Sequence, residues 1–289
     1  LVALLASDWS GKSAWVLDLT AGLADMRGFW LWEGGFNTNE IAGAMTWLTP
    51  LMIALAFKQR RVWAMVAALT LIIALMLGQS LSAWAGVLAG TLIALTPSRW
   101  SMRLAAGAAV GLMIGYAAIL AAPTAVIDLL KTASPRQEVN SLNHRVELWQ
   151  SARAIISDYP FTGAGLAMYR SPLIRQLYPT PSYSPAQAVH AHNMLLQIGT
   201  DAGLPAMLLY GGVFVAAGVM LAQVWRRAPQ VSVITGGLAG GLVAHMVYGL
   251  ADAIPLWDRF AFVGWWWFGL IAAHYLVSVQ LQRSTDSSR

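Results

Sequence analysis

Apolar residues run almost unbroken along this chain, separated by short polar interruptions rather than alternating with them. The apolar runs cover roughly residues 41 to 57, 62 to 78, 81 to 96, 104 to 122, 193 to 224, 231 to 251 and 259 to 280. Each approaches the roughly 20 residues that a helix needs to cross a hydrocarbon core of about 30 Å, so the pattern predicts seven transmembrane helices. Between residues 131 and 190 the pattern changes. Leu142, Val146, Trp149, Ala152 and Ile156 recur there at helical spacing, which predicts an amphipathic helix over 141–157, lying at the membrane surface or against the bundle. Tyr159-Pro160 ends it and Gly163-Ala164-Gly165 makes a tight turn. Pro172, Pro179, Pro181 and Pro185 then break the chain too often for regular structure. A loop of this length with little structure of its own is usually functional or disordered.

The basic residues give the spans a direction. Lys58, Arg60 and Arg61 follow the first run, Arg99 and Arg103 the third, Arg226 and Arg227 the fifth, and Arg283 the last. By the positive-inside rule these alternate connections are cytoplasmic. The turn at 78–80 has no basic residue, and the segment 251–258 carries Asp252 and Asp258, so both face outward. Residues 131–190 fall outside by the same parity. Their arginines do not break the rule, because long loops translocate largely regardless of charge.

Composition narrows the class. Hydrophobic residues make up 57% of the chain and charged ones 11%, with a mean hydropathy of +0.58, far from the quarter charged that soluble domains carry. The 14 Trp suit aromatic belts at the two membrane interfaces. A net charge of +5 does not make a nucleic-acid surface, since the basic residues sit between apolar runs and form no soluble basic face. Without cysteine there is neither disulfide nor thiol chemistry. The opening Leu-Val-Ala-Leu-Leu-Ala reads as the end of a span that begins upstream.

The densest polar group is His190-Ala191-His192-Asn193, where the loop enters the fifth run, followed by Gln197 and Asp201 about one and two turns on. The positive end of a helix dipole disfavours imidazolium, so His192 there is expected to be neutral, the state that a general base needs. Asn193 is placed to orient it or a substrate hydroxyl. A His-x-His zinc site would need further ligands, and the nearby acid, Asp201, lies two turns into the helix, so no metal is expected. The loop also holds Arg136, Arg145, Arg153, Arg170 and Arg175. Guanidinium holds phosphate in a bidentate way, and beside a membrane that phosphate belongs to a lipid headgroup or a lipid-linked pyrophosphate. For Arg153, Arg170 and Arg175, contact with anionic headgroups explains them equally well. Trp257 and Trp265-Trp266-Trp267 read as belt and packing residues, and Asp252 and Asp258 as acids solvated at span ends.

Taken together, the loop and the span after it resemble the O-antigen ligase and polymerase superfamily of bacterial envelope proteins. The resemblance rests on Arg145 to Trp149, on Tyr159-Pro160-x-x-Gly163-Ala164-Gly165, and on His followed by Asn, nine residues and Gly. Here that last pattern is His192-Asn193, Met194 to Ala202, and Gly203. Weaker matches are Asn39 to Gly43 and Ser80-Leu81-Ser82-Ala83. Two positions depart: Leu81 stands where many members carry Arg, and Ala206 where they carry Gly.

The resemblance implies a roughly twelve-span GT-C-like bundle of which these seven spans are the C-terminal part. It implies transfer of a glycan from undecaprenyl pyrophosphate to a lipid A core or a growing glycan chain, on the periplasmic face of the bacterial inner membrane, with no metal or other cofactor. His192 is then the base, and Arg145 holds the leaving pyrophosphate, with Arg136, Asn193 and His190 alongside. The expected organisation is an extracytoplasmic segment over 1–40, four spans over 41–130, the catalytic loop over 131–190, three spans over 191–280 and a cytoplasmic tail over 281–289. Two rivals use the same features: a transporter or flippase for a lipid-linked anion, and a catalytically silent envelope-assembly scaffold. The first usually shows paired interrupted helices, and no matching pair is visible.

Overall fold

The computed structural model describes residues 7–8, 13–24, 36–96, 98–122, 124–126, 128–129, 136–182, 189–228 and 232–287. Among them the chain is all-α apart from one parallel pairing of Ser7–Asp8 with Phe36–Asn37. In order, the helices are α1 (Ala14–Ala24), α2 (Thr38–Gln59), α3 (Val62–Gly78), α4 (Leu81–Leu95), α5 (Ser98–Ala121), α6 (Arg136–Asp158), α7 (Pro172–Leu177), α8 (Met194–Arg227), α9 (Ser232–Ala251) and α10 (Ala261–Ser287). Among the described residues, five segments are long and apolar enough to cross a membrane: Thr38–Gln59, Met102–Ala121, Met194–Arg227, Ser232–Ala251 and Ala261–Gln280. The other two predicted spans form shorter helices of 17 and 15 residues, α3 and α4. At 1.5 Å per residue they reach roughly 26 and 23 Å. Their length is cut by the left-handed Gln79 after α3 and by Thr96, ahead of Pro97, after α4.

The chain divides into two compact units. The first comprises residues 1–105, 219–248 and 262–289. Within it, α4 and α9 approach closely on small residues: a Cβ added at Gly86 or Gly90 would collide with the backbone of Ala244 or Gly240. This is the usual way for helices to pack when lipid offers no hydrophobic gain. Lys58 closes the end of α4, its Nζ donating to Ala94 O and Thr96 O at 3.0 and 3.1 Å. Of the tryptophan run, Trp265 and Trp266 are exposed while Trp267 is buried and donates to Leu238 O.

The second unit comprises residues 106–218 and 249–261. Its core gathers Leu148, Trp149, Ala152 and Ile155 of α6 with Ile119, Tyr169, Ile174 and Leu196. The apolar stripe predicted over 141–157 is therefore real, but its described part faces this core rather than lipid. The side chains of residues 136–143, Leu142 and Arg136 among them, lie outside the described residues, as does Pro185 in the Pro-rich stretch. That stretch is not wholly irregular. Pro172 opens α7 at its first position, where its fixed φ suits a helix and its missing N–H is not needed.

The feature that shapes the unit most is a break in α8. Gly203 adopts φ 78°, ψ −176° with Pro205 just beyond, so the helix is two pieces, 194–202 and 204–227. Into the break fits the turn that follows α6. Leu204 N donates to Pro160 O and Ala164 N to Thr200 O, both at 2.7 Å. A Cβ on Gly203 would lie 2.6 Å from Phe161 C, and one on Gly163, itself at φ 63°, would lie 2.6 Å from Asp201 C. The two glycines interlock. Gly163→Ala and Gly203→Ala are each expected to lower stability by about 1–3 kcal/mol from the left-handed backbone alone, with the clash adding to it. Gly211→Ala, on the same helix with open space around it, is expected to be neutral or slightly stabilising. Thermal unfolding of the three purified variants checks the contrast.

Candidate functional site

The last turn of a helix leaves carbonyl oxygens without intrahelical donors, and at the end of α9 two side chains answer them. Arg145 Nε, from α6, donates to Ala251 O at 2.9 Å. Asn193 Nδ2, at the mouth of α8, donates to Leu250 O at 3.0 Å. A guanidinium at a helix C-terminus is also favoured by the dipole. Asn193 works in two directions, because its Oδ1 accepts from Leu196 N at 3.0 Å and so caps the start of α8. The carboxamide predicted to orient His192 or a substrate hydroxyl is thus engaged at both ends in joining α8 to α9.

This junction brings two chain neighbours together. His192 precedes Asn193 and Asp252 follows Ala251, and His192 Nδ1 lies 3.1 Å from Asp252 Oδ1, off line for a full hydrogen bond. His190 Nε2 lies 3.9 Å from the same oxygen. The two imidazoles are 4.1 Å apart between centroids. His190 and Asp252 are buried, whereas the His192 side chain keeps 23% of its surface exposed. His192 adopts a left-handed backbone (φ 45°), and its carbonyl is held by Trp149 Nε1 at 3.2 Å. Its amide donates to His190 Nδ1 at 3.2 Å. Between the two histidines, Ala191 N donates to Gln197 Oε1 at 2.8 Å. Asp201 sits one turn beyond Gln197, facing it together with Trp257 and the Ala167 amide.

The electrostatics favour an ionised Asp252 beside a neutral His190. Burial pushes the Asp252 carboxyl up, but His192, His190 and the Arg145 guanidinium together outweigh it and hold Asp252 well below the usual carboxylate range. For His190, burial dominates, and with the charges of His192 and Arg145 it lowers the imidazole to about 3 against the pull of Asp252. His190 is therefore neutral at ordinary pH. Since its Nδ1 accepts the His192 amide, its one proton sits on Nε2, the atom facing Asp252.

Together His190, His192 and Asp252 place potential ligand atoms within 4.8 Å of one another. The tautomer argues against an ion there, because a protonated Nε2 has no lone pair to give. The arrangement suits a carboxylate that holds a proton on His192 Nδ1 and leaves Nε2 basic.

The remaining sequence candidates are dispersed. Arg136 begins α6, and its side chain is outside the described residues. Arg153 is exposed, and Arg170 lies over the Trp257 ring at 4.4 Å. Arg175 corrects the headgroup expectation: only 4% exposed, it stacks on Tyr169 at 4.0 Å and donates Nη1 to Ser151 Oγ at 3.1 Å. Leu81, where many family members carry Arg, is exposed in the first unit. Asp252 was readable in the sequence only as a span-end acid, since its pairing with His192 spans 60 residues and leaves no periodic signal.

The family model described as O-antigen ligase matches residues 66–211. That is half of the chain. It belongs to the O-antigen ligase family. Comparison with curated proteins returns no match. The O-antigen ligase match takes in Arg145, the Gly163 turn, His190, His192, Asn193 and Gly203, and it ends before Asp252. Membership bears out the resemblance read from the sequence. It makes this a ligase- or polymerase-type membrane protein of glycosyl transfer.

Acid should act on this cluster in a defined way. In the unfolded chain a histidine titrates near 6.5, and folding lowers His190 to about 3. Between those values the unfolded state binds more protons, so stability falls as pH drops from 6.5. Asp252, also lowered on folding, adds a loss of the same sign below its ordinary value of 3.8. The melting temperature of the purified protein is expected to fall from pH 7 to 4, and His190→Gln is expected to flatten that slope between pH 6.5 and 4.

Proposed function

We propose that the chain transfers a glycan from undecaprenyl pyrophosphate to an acceptor hydroxyl with His192 as general base. The observation that carries this reading is the buried Asp252 carboxylate 3.1 Å from Nδ1 of a part-exposed His192, in an O-antigen ligase family member. His192 Nε2 takes the proton of the acceptor hydroxyl as its oxygen attacks the anomeric carbon. The bond from that carbon to the pyrophosphate oxygen breaks, and its electrons leave with the pyrophosphate. One direct displacement inverts the anomeric centre. Arg145, whose charge reaches both His190 and Asp252, takes up the developing negative charge, with Arg136 as a second ligand. Asp252 stabilises the imidazolium that forms.

His190 and Asn193 shape the site. A neutral His190 matters because two imidazolium rings 4.1 Å apart would repel one another. The bilayer is the inner membrane, the loop over 131–190 is periplasmic, and the acceptor is a lipid A core or a growing glycan chain. The reading keeps the organisation expected from the sequence: spans over 41–130 and 191–280 flank the loop, with the segment 1–40 outside and the tail 281–289 inside.

The test is a transfer assay with the full-length protein in detergent, a lipid-linked oligosaccharide donor and lipid A core, following release of undecaprenyl pyrophosphate. His192→Ala is expected to lower kcat about 10²–10⁴-fold, the range of a lost acid–base catalyst. Asp252→Asn is expected to fall in the same range through the wrong tautomer. Arg145→Lys, which keeps the charge and loses the bidentate fork, is expected to raise the donor KM and lower kcat. Full turnover in both His192→Ala and Asp252→Asn overturns the assignment. Acceptor choice, core or growing chain, separates ligase from polymerase.

A further inference from the structure

The stretch from Tyr159 to Leu177 has an unusual surface for a segment outside the spans. Phe161 is 78% exposed, and Leu166, Leu173 and Leu177 are exposed as well. Leu173 and Leu177 are four residues apart on α7, so they share one face, while Ile174 turns into the core. The stretch contains two arginines and no acid. Of the arginines, Arg175 is buried and Arg170 is exposed.

The break in α8 fixes the level of this surface relative to the bilayer. Beyond Gly203 the helix runs from Leu204 to Arg227, 24 residues, enough to cross a hydrocarbon core that needs about 20. The piece from 194 to 202, carrying Gln197 and Asp201, is then not required for spanning. The bilayer boundary accordingly falls near Gly203. The turn 159–164 is bonded to that point through Pro160 O and Ala164 N, so Phe161 stands at the boundary beside Leu204, with Leu208 one turn further. Both leucines are exposed too. The apolar surface of the turn thereby continues that of the spanning helix, at the depth where aromatic residues favour the interface.

We propose that residues 159–177 form an interfacial wedge that seats this unit on an anionic bilayer. Phe161, Leu166, Leu173 and Leu177 enter the acyl boundary, and Arg170 meets lipid phosphate. The absence of acids suits a negatively charged surface, which attracts cations and repels carboxylates. The wedge does not depend on the catalytic reading of His192. It sets the height of the Gly163–Gly203 interlock above the lipid.

These 289 residues contain no cysteine, so single Cys replacements of Phe161, Leu173, Leu177 and exposed Gln176 can each carry a spin label in the full-length protein once every cysteine outside them is replaced by Ser. In nanodiscs of phosphatidylethanolamine and phosphatidylglycerol, without glycan donor, labels at 161, 173 and 177 are expected to be several-fold more accessible to oxygen than to a water-soluble nickel chelate. At 176 the order is expected to reverse. Replacing both lipids by phosphatidylcholine should make the three positions shallower. Nickel access equal at all four positions overturns the wedge. Exclusion of both reagents at 161 and 173 overturns it in favour of a protein partner or second copy, and depth unchanged by lipid charge overturns its anionic part.

Discussion

Two carbonyl oxygens at the end of α9 organise the second unit. Leu250 O and Ala251 O lie where a helix runs out of its own donors, and an unmet buried carbonyl costs about 1–3 kcal/mol. Arg145 and Asn193 meet them, and because one comes from α6 and the other from α8, the repair of a helix end also joins three helices. The register follows from covalent neighbourhood. Once Asn193 is fixed to Leu250, the residue before Asn193 and the acid after Ala251 have little freedom to be elsewhere, and His192 meets Asp252. The site is in that sense a by-product of capping.

This also explains why the sequence disclosed some parts and concealed others. The spans were visible because hydropathy is local and cumulative. The Gly163 turn and the His192-to-Gly203 spacing were visible because left-handed backbone leaves glycine as its mark, although their mutual interlock was not. Arg145 stood out by its chemistry, while its backbone contact depends on where α9 stops. Asp252 resembled any acid at the end of a span, and only the fold places it against His192. Arg175 misled for the opposite reason: among loop arginines it carries no sign that Tyr169 and Ser151 will enclose it. Pro172 reads in the sequence as a breaker, yet a proline that ends one segment is equally suited to begin a helix.

Asn193 illustrates how a polar side chain at a candidate site can be used in holding the fold. Its carboxamide has one acceptor and two donors, and the acceptor and one donor bond are used in holding the helices. Gln197 repeats the pattern one turn later, with Oε1 on the Ala191 amide. The two amides thus bracket the segment that bears the imidazoles, one through α9 and the other through α8 itself. Trp149 adds a third tie through the His192 carbonyl. A left-handed, non-glycine residue costs of order 1–3 kcal/mol and persists when its surroundings over-determine it. His192 has such surroundings on both its amide and its carbonyl.

Charge balance gives the cluster its direction. With His190 neutral, the negative Asp252 has the positive Arg145 near it, so the buried carboxylate has a cation beside it before a substrate arrives. In the mechanism we propose, proton uptake by His192 turns the Asp252 contact into an ion pair as the departing group gains negative charge beside Arg145. The two opposite charges that this mechanism creates would thus each find a partner already fixed in place, which is the condition for stabilising a transition state without reorganising the site. If His190 were protonated as well, Asp252 would be shared between two cations, and the pull on the His192 proton would weaken. The burial that keeps His190 neutral is therefore part of what would let its neighbour act as the base we propose.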